Sequence, residues 1–395
     1  MSDSITDAAM SKIAQHKRAI RQQWLAVHLY LGLSLGLLLS VIGITGSLLV
    51  FYLELDEVLN PELAIAEPSA PRLPYQTIFN AIRQAEPDRP NGWRLEIPDN
   101  PRRVITARYY KPRETEQLGF APLLLSVHPQ TGEVLKQRFW GQFAMTWLYD
   151  LHYTLLLAAS GKIVMAVVGG CLLVSLLSGL YLWWPSAGKW RSALGIKSKA
   201  GKQRLTYDLH KVAGVYGFIA MLALALTGIA LEIPDYVNPL IGYFSPLQQQ
   251  SAAKSQIVEQ SAAITLDRAV AIARQRFPQA ELAWIETPHG RDGCYRINLY
   301  QSGEPSRRFP KTNVWIDQYS GRVIRVNDPF TETAGDTLIH WLHPLHSGEA
   351  LAMPGRLLVL AAGLSCPLLF VTGVMRWLQK RSGRRRLIEA NRAGR

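Results

Sequence analysis

The hexapeptide WLYDLH at residues 147–152 returns as WLHPLH at residues 341–346, and this repetition organises the whole chain. Nine residues after the final histidine of each copy stands a glycine, Gly161 or Gly355. The alignment continues without a gap to Gly179 and Gly373, and then to Trp183 and Trp377. The repeat therefore predicts an internally duplicated chain whose two halves share one architecture.

Four long apolar stretches interrupt the polar sequence. Each approaches the roughly 20 residues that an α-helix needs to cross about 30 Å of hydrocarbon. Main-chain groups in lipid must be paired internally, so such stretches form helices. The sequence predicts an α-helical membrane protein with four transmembrane helices, whose apolar cores are residues 24–53, 163–184, 212–231 and 357–375.

Positive charge is concentrated beside these apolar stretches. Residues 1–23, 186–209 and 376–395 carry eighteen Lys and Arg against four Asp and Glu, while the whole chain has a net charge of +13. Segments rich in Lys and Arg stay in the cytoplasm. Both termini are therefore predicted to be cytoplasmic, and segments 54–150 and 233–350 to lie in the periplasm outside a bacterial inner membrane. Nucleic-acid binding, the competing reason for a basic chain, is disfavoured because the charge flanks membrane spans.

The predicted order of segments is a span, an outer domain and a second span, repeated once. Two such halves would be related by a pseudo-two-fold axis along the membrane normal. The predicted segments are a basic tail 1–23, helix 24–53, outer domain 54–150, approach and helix 151–185, basic loop 186–206, helix 207–232, outer domain 233–345, approach and helix 346–379, and basic tail 380–395.

The two outer segments also resemble each other. SVHPQTGEVL (126–135) and WIDQYSGRVI (315–324) each predict a strand, a turn containing glycine and a second strand. A helix is predicted near the start of each segment, at residues 75–85 and 266–276, with Thr265 as the N-cap of the latter. The outer segments are therefore predicted to be two copies of a small α+β domain.

Four of the nine histidines occupy matched positions of the two halves. His28 and His210 lie at the cytoplasmic ends of spans one and three, whereas His152 and His346 lie at the outer approaches to spans two and four. Histidine at membrane depth is costly and usually functional. The pseudo-axis would pair His28 with His210 and His152 with His346. Two facing neutral imidazoles suit the axial positions of a b-type haem, so two haems are predicted.

Glycines near these histidines are predicted to make room for flat macrocycles. Gly32 and Gly214 stand one turn after their histidines. Gly46 and Gly228 stand eighteen residues after the same histidines, about 27 Å along a helix, and are expected to clear space for the outer haem. The stretch 347–355 is not expected to be a continuous helix, which predicts an outer haem at the membrane surface.

The matched residues are also compatible with roles that need no haem. Small residues in spans often serve helix packing, and duplication copies structural residues as well. A zinc site would be short of ligands with two histidines per layer, unless His340 or His343 joins. Tyr149 occupies the position of His343 in the first half, so the repeat favours His346 as the ligand and leaves the role of the other two histidines open. The three cysteines form no CxxC or CxxCH, so neither a disulfide framework nor covalent haem attachment is expected.

Three sets of motifs resemble the PepSY-associated transmembrane protein family. They are HLYLG followed by TG, the run LH…G…WWP at 151–185, and outer segments that contain TGEVL and SGRVI. The similarity extends from about residue 24 to residue 377. The resemblance implies two periplasmic PepSY-like domains. Some members resemble ferrisiderophore reductases, four-helix inner-membrane proteins that bind two haems. The histidines that match the family pattern are His28, His152, His210 and His346, and no motif identifies substrate-binding residues.

The resemblance implies an oxidoreductase that moves electrons across the membrane to a ferric siderophore, or another ferric chelate, in the periplasm for iron uptake. Hard oxygen donors hold Fe(II) more weakly than Fe(III), so one electron loosens the complex. The chain has no GxGxxG fingerprint, and its cytoplasmic segments are too short for a nucleotide-binding domain. The expected electron donor is therefore a quinol or a separate reductase.

Three alternative functions stay open. A non-enzymatic PepSY membrane protein would bind or regulate a periplasmic partner and would show no haem spectrum. A transporter of iron or siderophore is disfavoured by the small number of spans and by the lack of an intramembrane carboxylate cluster. A haem electron conduit to a different acceptor is the third. The sequence specifies neither the particular siderophore nor the oligomeric state.

Overall fold

The computed structural model describes residues 2–65, 71–197, 199–248 and 252–393. The remaining residues fall within predicted segments and lie outside the described part of the chain. They are residues 1, 394 and 395 of the basic tails, 66–70 of the first outer domain, 198 of the basic loop, and 249–251 of the second outer domain.

Helices and strands are numbered here in chain order. The first half contains α1 (Ser2–Leu49), α2 (Tyr52–Leu59), α3 (Tyr75–Ala85), β1 (Trp93–Glu96), β2 (Ile105–Tyr109), β3 (Leu123–Val127), β4 (Val134–Phe139), α4 (Ala144–Thr154) and α5 (Ala158–Trp183). The second half contains α6 (Trp190–Leu194), α7 (Lys202–Glu232), α8 (Pro234–Phe244), α9 (Leu266–Arg276), β5 (Glu281–Glu286), β6 (Cys294–Tyr300), β7 (Thr312–Asp317), β8 (Val323–Asn327), α10 (Ala334–Ser347) and α11 (Ala352–Ala393).

Four helices among the described residues are long and apolar enough to cross a membrane, in agreement with the prediction. The chain is therefore a membrane protein. Helices α1 and α11 extend well beyond the predicted spans 24–53 and 346–379, because the basic tails continue the helices past their apolar runs. The candidate spans are Gln15–Leu49, Ala158–Trp183, Lys202–Glu232 and Glu349–Ala393.

The four spans form a bundle in which α1 and α7 are diagonal partners. Each of these two helices packs against both α5 and α11. Small residues allow α1 and α11 to approach closely, since a Cβ atom at Gly43 would lie 2.5 Å from the carbonyl oxygen of Gly363. Nearby, the Ser47 hydroxyl donates to the carbonyl of Leu360 across the same contact at 3.2 Å. Close packing and such hydrogen bonds hold helices together where the solvent is itself apolar.

The strands form one antiparallel sheet in the order β4-β3-β2-β1-β5-β6-β7-β8. The two predicted α+β regions therefore share a sheet, joined where β1 pairs with β5 and Leu95 lies opposite Ile285. Helices α3 and α9 cover one face, where alternate strand residues such as Leu95 and Ile297 are fully buried. The opposite face carries ion pairs, among them Arg108 with Glu96 at 2.7 Å.

Several local predictions for this region are confirmed. Helices α3 and α9 span the predicted residues, and the Thr265 hydroxyl accepts from the main-chain N–H of Arg268 at 3.3 Å. The predicted turns separate β3 from β4 and β7 from β8. Gly132 and Gly321 in these turns have φ of +74° and +73°, a left-handed conformation that glycine adopts without strain.

The helical conformation is interrupted just before the second and fourth spans, where the chain turns sharply. Leu155 and Leu156 have φ of 54° and 60° between α4 and α5, and Gly348 and Ala352 have φ of 80° and 50° between α10 and α11. The predicted interruption within 347–355 is therefore present. These breaks lay α4 against α1 and α10 against α7, which decides where the histidines of the two short helices point.

The two halves of the sheet region are tied together at the starts of α3 and α9. The carboxylate of Asp267 accepts from the main-chain N–H groups of Tyr75 and Gln76, both at 2.9 Å.

We expect Asp267→Ala to lower the free energy of unfolding of this region by about 1 kcal/mol, since a helix loses its capping acceptor. Hydrogen exchange at the two amides should accelerate. Asp88→Ala, at an exposed aspartate, is the control, and equal exchange in the two variants would contradict this role.

Candidate functional site

The imidazoles of His28 and His210 face each other within the bundle, at the end nearer the basic tails. Their ring centroids are 6.3 Å apart and the ring planes are at 87°. One ring comes from α1 and the other from α7, so the pairing follows from the diagonal arrangement of these helices. We call these two residues the tail-side pair.

His152 and His346 form a second pair at the end nearer the sheet, with ring centroids 6.2 Å apart and an interplanar angle of 53°. These histidines lie on α4 and α10, outside the spans. Their side chains nevertheless reach α1 near Ile42 and α7 near Thr227. The contacts lie about one to two helical turns inside the ends of those helices. We call these residues the sheet-side pair.

All four imidazoles are held through Nδ1 by oxygen atoms of a neighbouring helix. Each Nδ1 atom lies 3.0–3.1 Å from a hydroxyl oxygen, and three of them also lie 3.0–3.1 Å from a main-chain carbonyl oxygen. The partners are Ser175 O and Ser178 Oγ for His28, Ile42 O and Thr45 Oγ1 for His152, Leu369 O and Thr372 Oγ1 for His210, and Thr227 Oγ1 for His346.

These contacts define the tautomer of the rings. A carbonyl oxygen only accepts, so Nδ1 must carry the proton and donate. Each hydroxyl donates its own hydrogen to a carbonyl of its own helix, as Thr227 Oγ1 does to Ala223 O at 2.7 Å, and its oxygen is left as an acceptor. In a neutral ring Nε2 is then unprotonated. Histidine ligands of metals are commonly oriented in this way, with the second nitrogen bound to a carbonyl or hydroxyl.

A glycine follows each of the four hydroxyl residues and packs against the same imidazole. A Cβ atom at Gly46 would lie 2.7 Å from Cε1 of His152, and one at Gly179 would lie 3.0 Å from Cε1 of His28. The corresponding distances are 3.1 Å from Gly228 to His346 and 3.4 Å from Gly373 to His210. The recurring unit is thus a buried Ser or Thr followed by Gly, which we call the hydroxyl–glycine cradle. Its members are Ser178-Gly179, Thr45-Gly46, Thr372-Gly373 and Thr227-Gly228.

This arrangement changes the interpretation of the glycines. The sequence predicted that Gly46 and Gly228 would clear space for a macrocycle, but in the structure they make room for the imidazoles themselves. Gly32 does border open space, since no atom lies within 4 Å of a Cβ placed there. Gly214 faces Leu369 at 3.6 Å.

The spacing within each pair can be tested against an axial metal. A bond of about 2 Å from each imidazole nitrogen to a central ion, together with the half-widths of two rings, places the centroids roughly 6 Å apart. Both pairs match this separation. Each pair offers only two nitrogens, and the described residues contain no group of three or more His, Cys, Asp or Glu side chains that could hold a metal ion. The pairs therefore fit a planar cofactor that brings its own equatorial ligands.

The two remaining histidines of α10 have other neighbours. His340 Nδ1 lies 2.9 Å from a carboxylate oxygen of Glu332. The ring of His343 packs edge-on against Phe309, with centroids 4.8 Å apart. Tyr149, at the matched position on α4, instead packs against Trp140 at 5.2 Å.

The cradles are the functional feature that the sequence interpretation missed. The sequence predicted a role for Gly46 and Gly228 but none for the hydroxyl residues that precede the four cradle glycines. The available signal was the presence of Ser-Gly or Thr-Gly at matched positions of spans one and three and of spans two and four. The four hydroxyl residues are buried, with relative exposures of 1–7%.

The family model for the PepSY-associated TM region matches residues 25–380. The chain belongs to this family. The resemblance noted from the sequence motifs is thus confirmed, and both histidine pairs and all four cradles lie within the matched PepSY-associated region. A comparison with curated proteins gives no match.

The cradle geometry predicts a size limit at its glycines. We expect Gly46→Ala to lower the free energy of unfolding by about 1–3 kcal/mol, because the added methyl group displaces a ring held by two hydrogen bonds. Thermal unfolding in detergent measures this effect. The control is Gly170→Ala in α5, where no atom lies within 4 Å of the added carbon. If both variants unfolded alike, the close contact with His152 would be wrong.

Proposed function

We propose that this protein carries electrons across the bacterial inner membrane through two b-type haems and reduces ferric siderophores in the periplasm. The observation that carries the proposal is the pair of facing imidazoles at each end of the bundle. Both pairs have ring centroids 6.2–6.3 Å apart and Nδ1 atoms engaged on the far side of the rings. The tail-side pair would hold one haem and the sheet-side pair the other.

The orientation rests on charge. The three basic segments lie at one end of the bundle, and Lys and Arg favour the cytoplasmic side. The sheet would then be periplasmic and would consist of two PepSY-like domains. Internal duplication accounts for the helix and four strands in each half, for the matched histidines and for the matched cradles. The tail-side pair would face the electron donor, and the sheet-side pair the acceptor.

The chain's own groups would hold and tune the cofactors. The carbonyl and hydroxyl acceptors keep Nδ1 protonated and orient each ring, which makes Nε2 a better donor to iron. A bound haem supplies a one-electron Fe(III)/Fe(II) couple, whose potential depends on the axial ligands, their hydrogen bonds and burial. Along α1 the ligand His28 and the cradle at Thr45-Gly46 are 17–18 residues apart, or about 26 Å. Electrons would therefore cross most of the hydrocarbon layer between the two pairs.

The reaction at the periplasmic end would be a one-electron reduction. A haem held by His152 and His346 would supply one electron to a siderophore-bound Fe(III), which would become Fe(II) and dissociate more readily from hard oxygen donors. A quinol or a separate reductase would replace the electron at the tail-side haem. No proton transfer to the chelate is needed for the electron balance.

Absorption spectra test the cofactor part of the proposal. We expect detergent-purified protein, expressed with ample haem, to show sharp bands after dithionite reduction. His28→Ala and His346→Ala should each remove about half of the reduced absorbance, since each variant loses one axial ligand of one haem. His16→Ala, at an exposed histidine on the same helix as His28, should keep the full spectrum. A colourless wild-type protein, or full colour after replacement of all four histidines, would contradict the proposal.

Reoxidation tests the acceptor. Anaerobically reduced protein should be reoxidised by a ferric siderophore, with release of Fe(II) that a coloured Fe(II) chelator captures. The gallium(III) form of the same siderophore is the matched control, because Ga(III) has a similar size and charge but accepts no electron under these conditions. Haem that stays reduced with every ferric chelate tried would indicate a conduit to a different acceptor and would exclude the reductase assignment.

A further inference from the structure

Arg308 lies in the loop between β6 and β7, which descends from the sheet towards the bundle. Its guanidinium carbon is 4.7 Å from the ring centroid of Tyr52 and 5.2 Å from that of Phe309. Phe309 in turn packs against His343. Arg308 therefore sits among aromatic side chains between the sheet and the helices.

The positive charge of Arg308 acts on residues from both halves of the bundle. Burial raises the pKa of Tyr52 and Tyr149, and the guanidinium opposes this rise at both groups. The pKa of His343 is lowered to about 4, chiefly by burial, with Glu349 opposing the change and Arg308 adding to it. Arg308 thus acts electrostatically on α4 through Tyr149 and on α10 through His343. We call these residues, Tyr52, Tyr149, Arg308, Phe309 and His343, the outer chamber.

The outer chamber lies directly beyond the sheet-side pair. Tyr149 precedes His152 by three residues on α4, and His343 precedes His346 by three residues on α10. Residues three apart on a helix lie on the same face. Tyr149 and His343 therefore lie on the same helix faces as the two facing imidazoles, and Arg308 acts on both of them.

Arg308 differs from the neighbouring arginines in its partners. Arg94 pairs with Glu286, Arg108 with Glu96, and Arg307 with Glu281. Among the described residues no Asp or Glu lies within ion-pair distance of Arg308, whose contacts are aromatic faces. A half-buried cation without a carboxylate is costly unless a bound group supplies the negative charge.

We propose that Arg308 binds a propionate carboxylate of the sheet-side haem, an inference that rests on the haem assignment made above. A b-type haem carries two carboxylates at one edge of its plane, and arginine is the side chain best suited to bind a carboxylate through two hydrogen bonds. A haem held by His152 and His346 would present its propionate edge to the outer chamber, whose residues Tyr149 and His343 lie on the same helix faces as these histidines. Lys311, a second cation that acts on His343, adds positive potential on the same side.

The charge of Arg308 should also tune the sheet-side haem. A nearby positive charge favours the reduced form, which carries one positive charge less than the oxidised form. Loss of that charge should lower the midpoint potential and weaken retention of the cofactor. The tail-side haem lies across the bilayer and should not respond.

The test compares Arg308→Gln with Arg307→Gln, which removes the adjacent but acid-paired arginine. Redox titration of the full-length protein gives two midpoint potentials, and His346→Ala assigns one of them to the sheet-side haem. We expect Arg308→Gln to shift the one-electron equilibrium of that haem about tenfold, a fall of about 59 mV. Transfer of that haem to apomyoglobin should be about tenfold faster. Arg308→Lys, which keeps the charge but not the paired donors, should give intermediate values.

The tail-side haem serves as an internal measure of folding, since its spectrum and potential should be unchanged in every variant. The proposal is overturned if Arg308→Gln titrates and releases haem as Arg307→Gln does. It is also overturned if Arg308→Gln leaves the haem unchanged but weakens binding of ferric citrate, because the arginine would then face an anionic substrate. A wild-type protein without haem would overturn the proposed function itself, a result distinct from either of these.

Discussion

Four imidazoles lie inside or against an apolar bundle, and each brings an N–H group that is largely removed from solvent. A buried donor without an acceptor costs about 1–3 kcal/mol. The structure meets this demand with one unit used four times, a hydroxyl that accepts from Nδ1 and a glycine that leaves space for the ring. This constraint sets the distances between helices near every histidine. It also leaves the opposite nitrogen of each ring directed into the bundle.

The same unit explains how the helices are connected. Helix α1 carries His28 at one end and the cradle Thr45-Gly46 at the other, and α7 repeats this with His210 and Thr227-Gly228. Helices α5 and α11 provide cradles at the tail side, and the short helices α4 and α10 provide histidines at the sheet side. Every paired histidine is thus held by a helix other than its own. The contacts that pack the helices of the bundle therefore also position the candidate cofactor-binding histidines.

The two halves carry different side chains near each end of the bundle. At the tail side, the buried Asp208 accepts from the main-chain N–H of Lys197 and from the side chains of Arg204 and Lys211. The matched position in the first half is Ala26, and no such network is possible there. At the sheet side, Tyr149 and His343 differ, and Arg308 comes from one half alone. The paired histidines come from matched positions of the two halves, whereas the unmatched residues make the two ends of the bundle chemically different.

The spans, the strands and turns around Gly132 and Gly321, and the four matched histidines could be predicted from the amino-acid sequence. These features depend on hydrophobicity, local turn chemistry and repeat spacing, which are properties of the linear sequence. Three features required the folded structure: the pairing of β1 with β5 that joins two regions into one sheet, the packing of α4 and α10 back onto the bundle, and the match between each cradle and its ring. The last contacts join residues more than one hundred positions apart, such as His28 and Ser175. Their geometry depends on how the helices pack and on where the chain turns at Leu155 and Gly348, which no local pattern specifies.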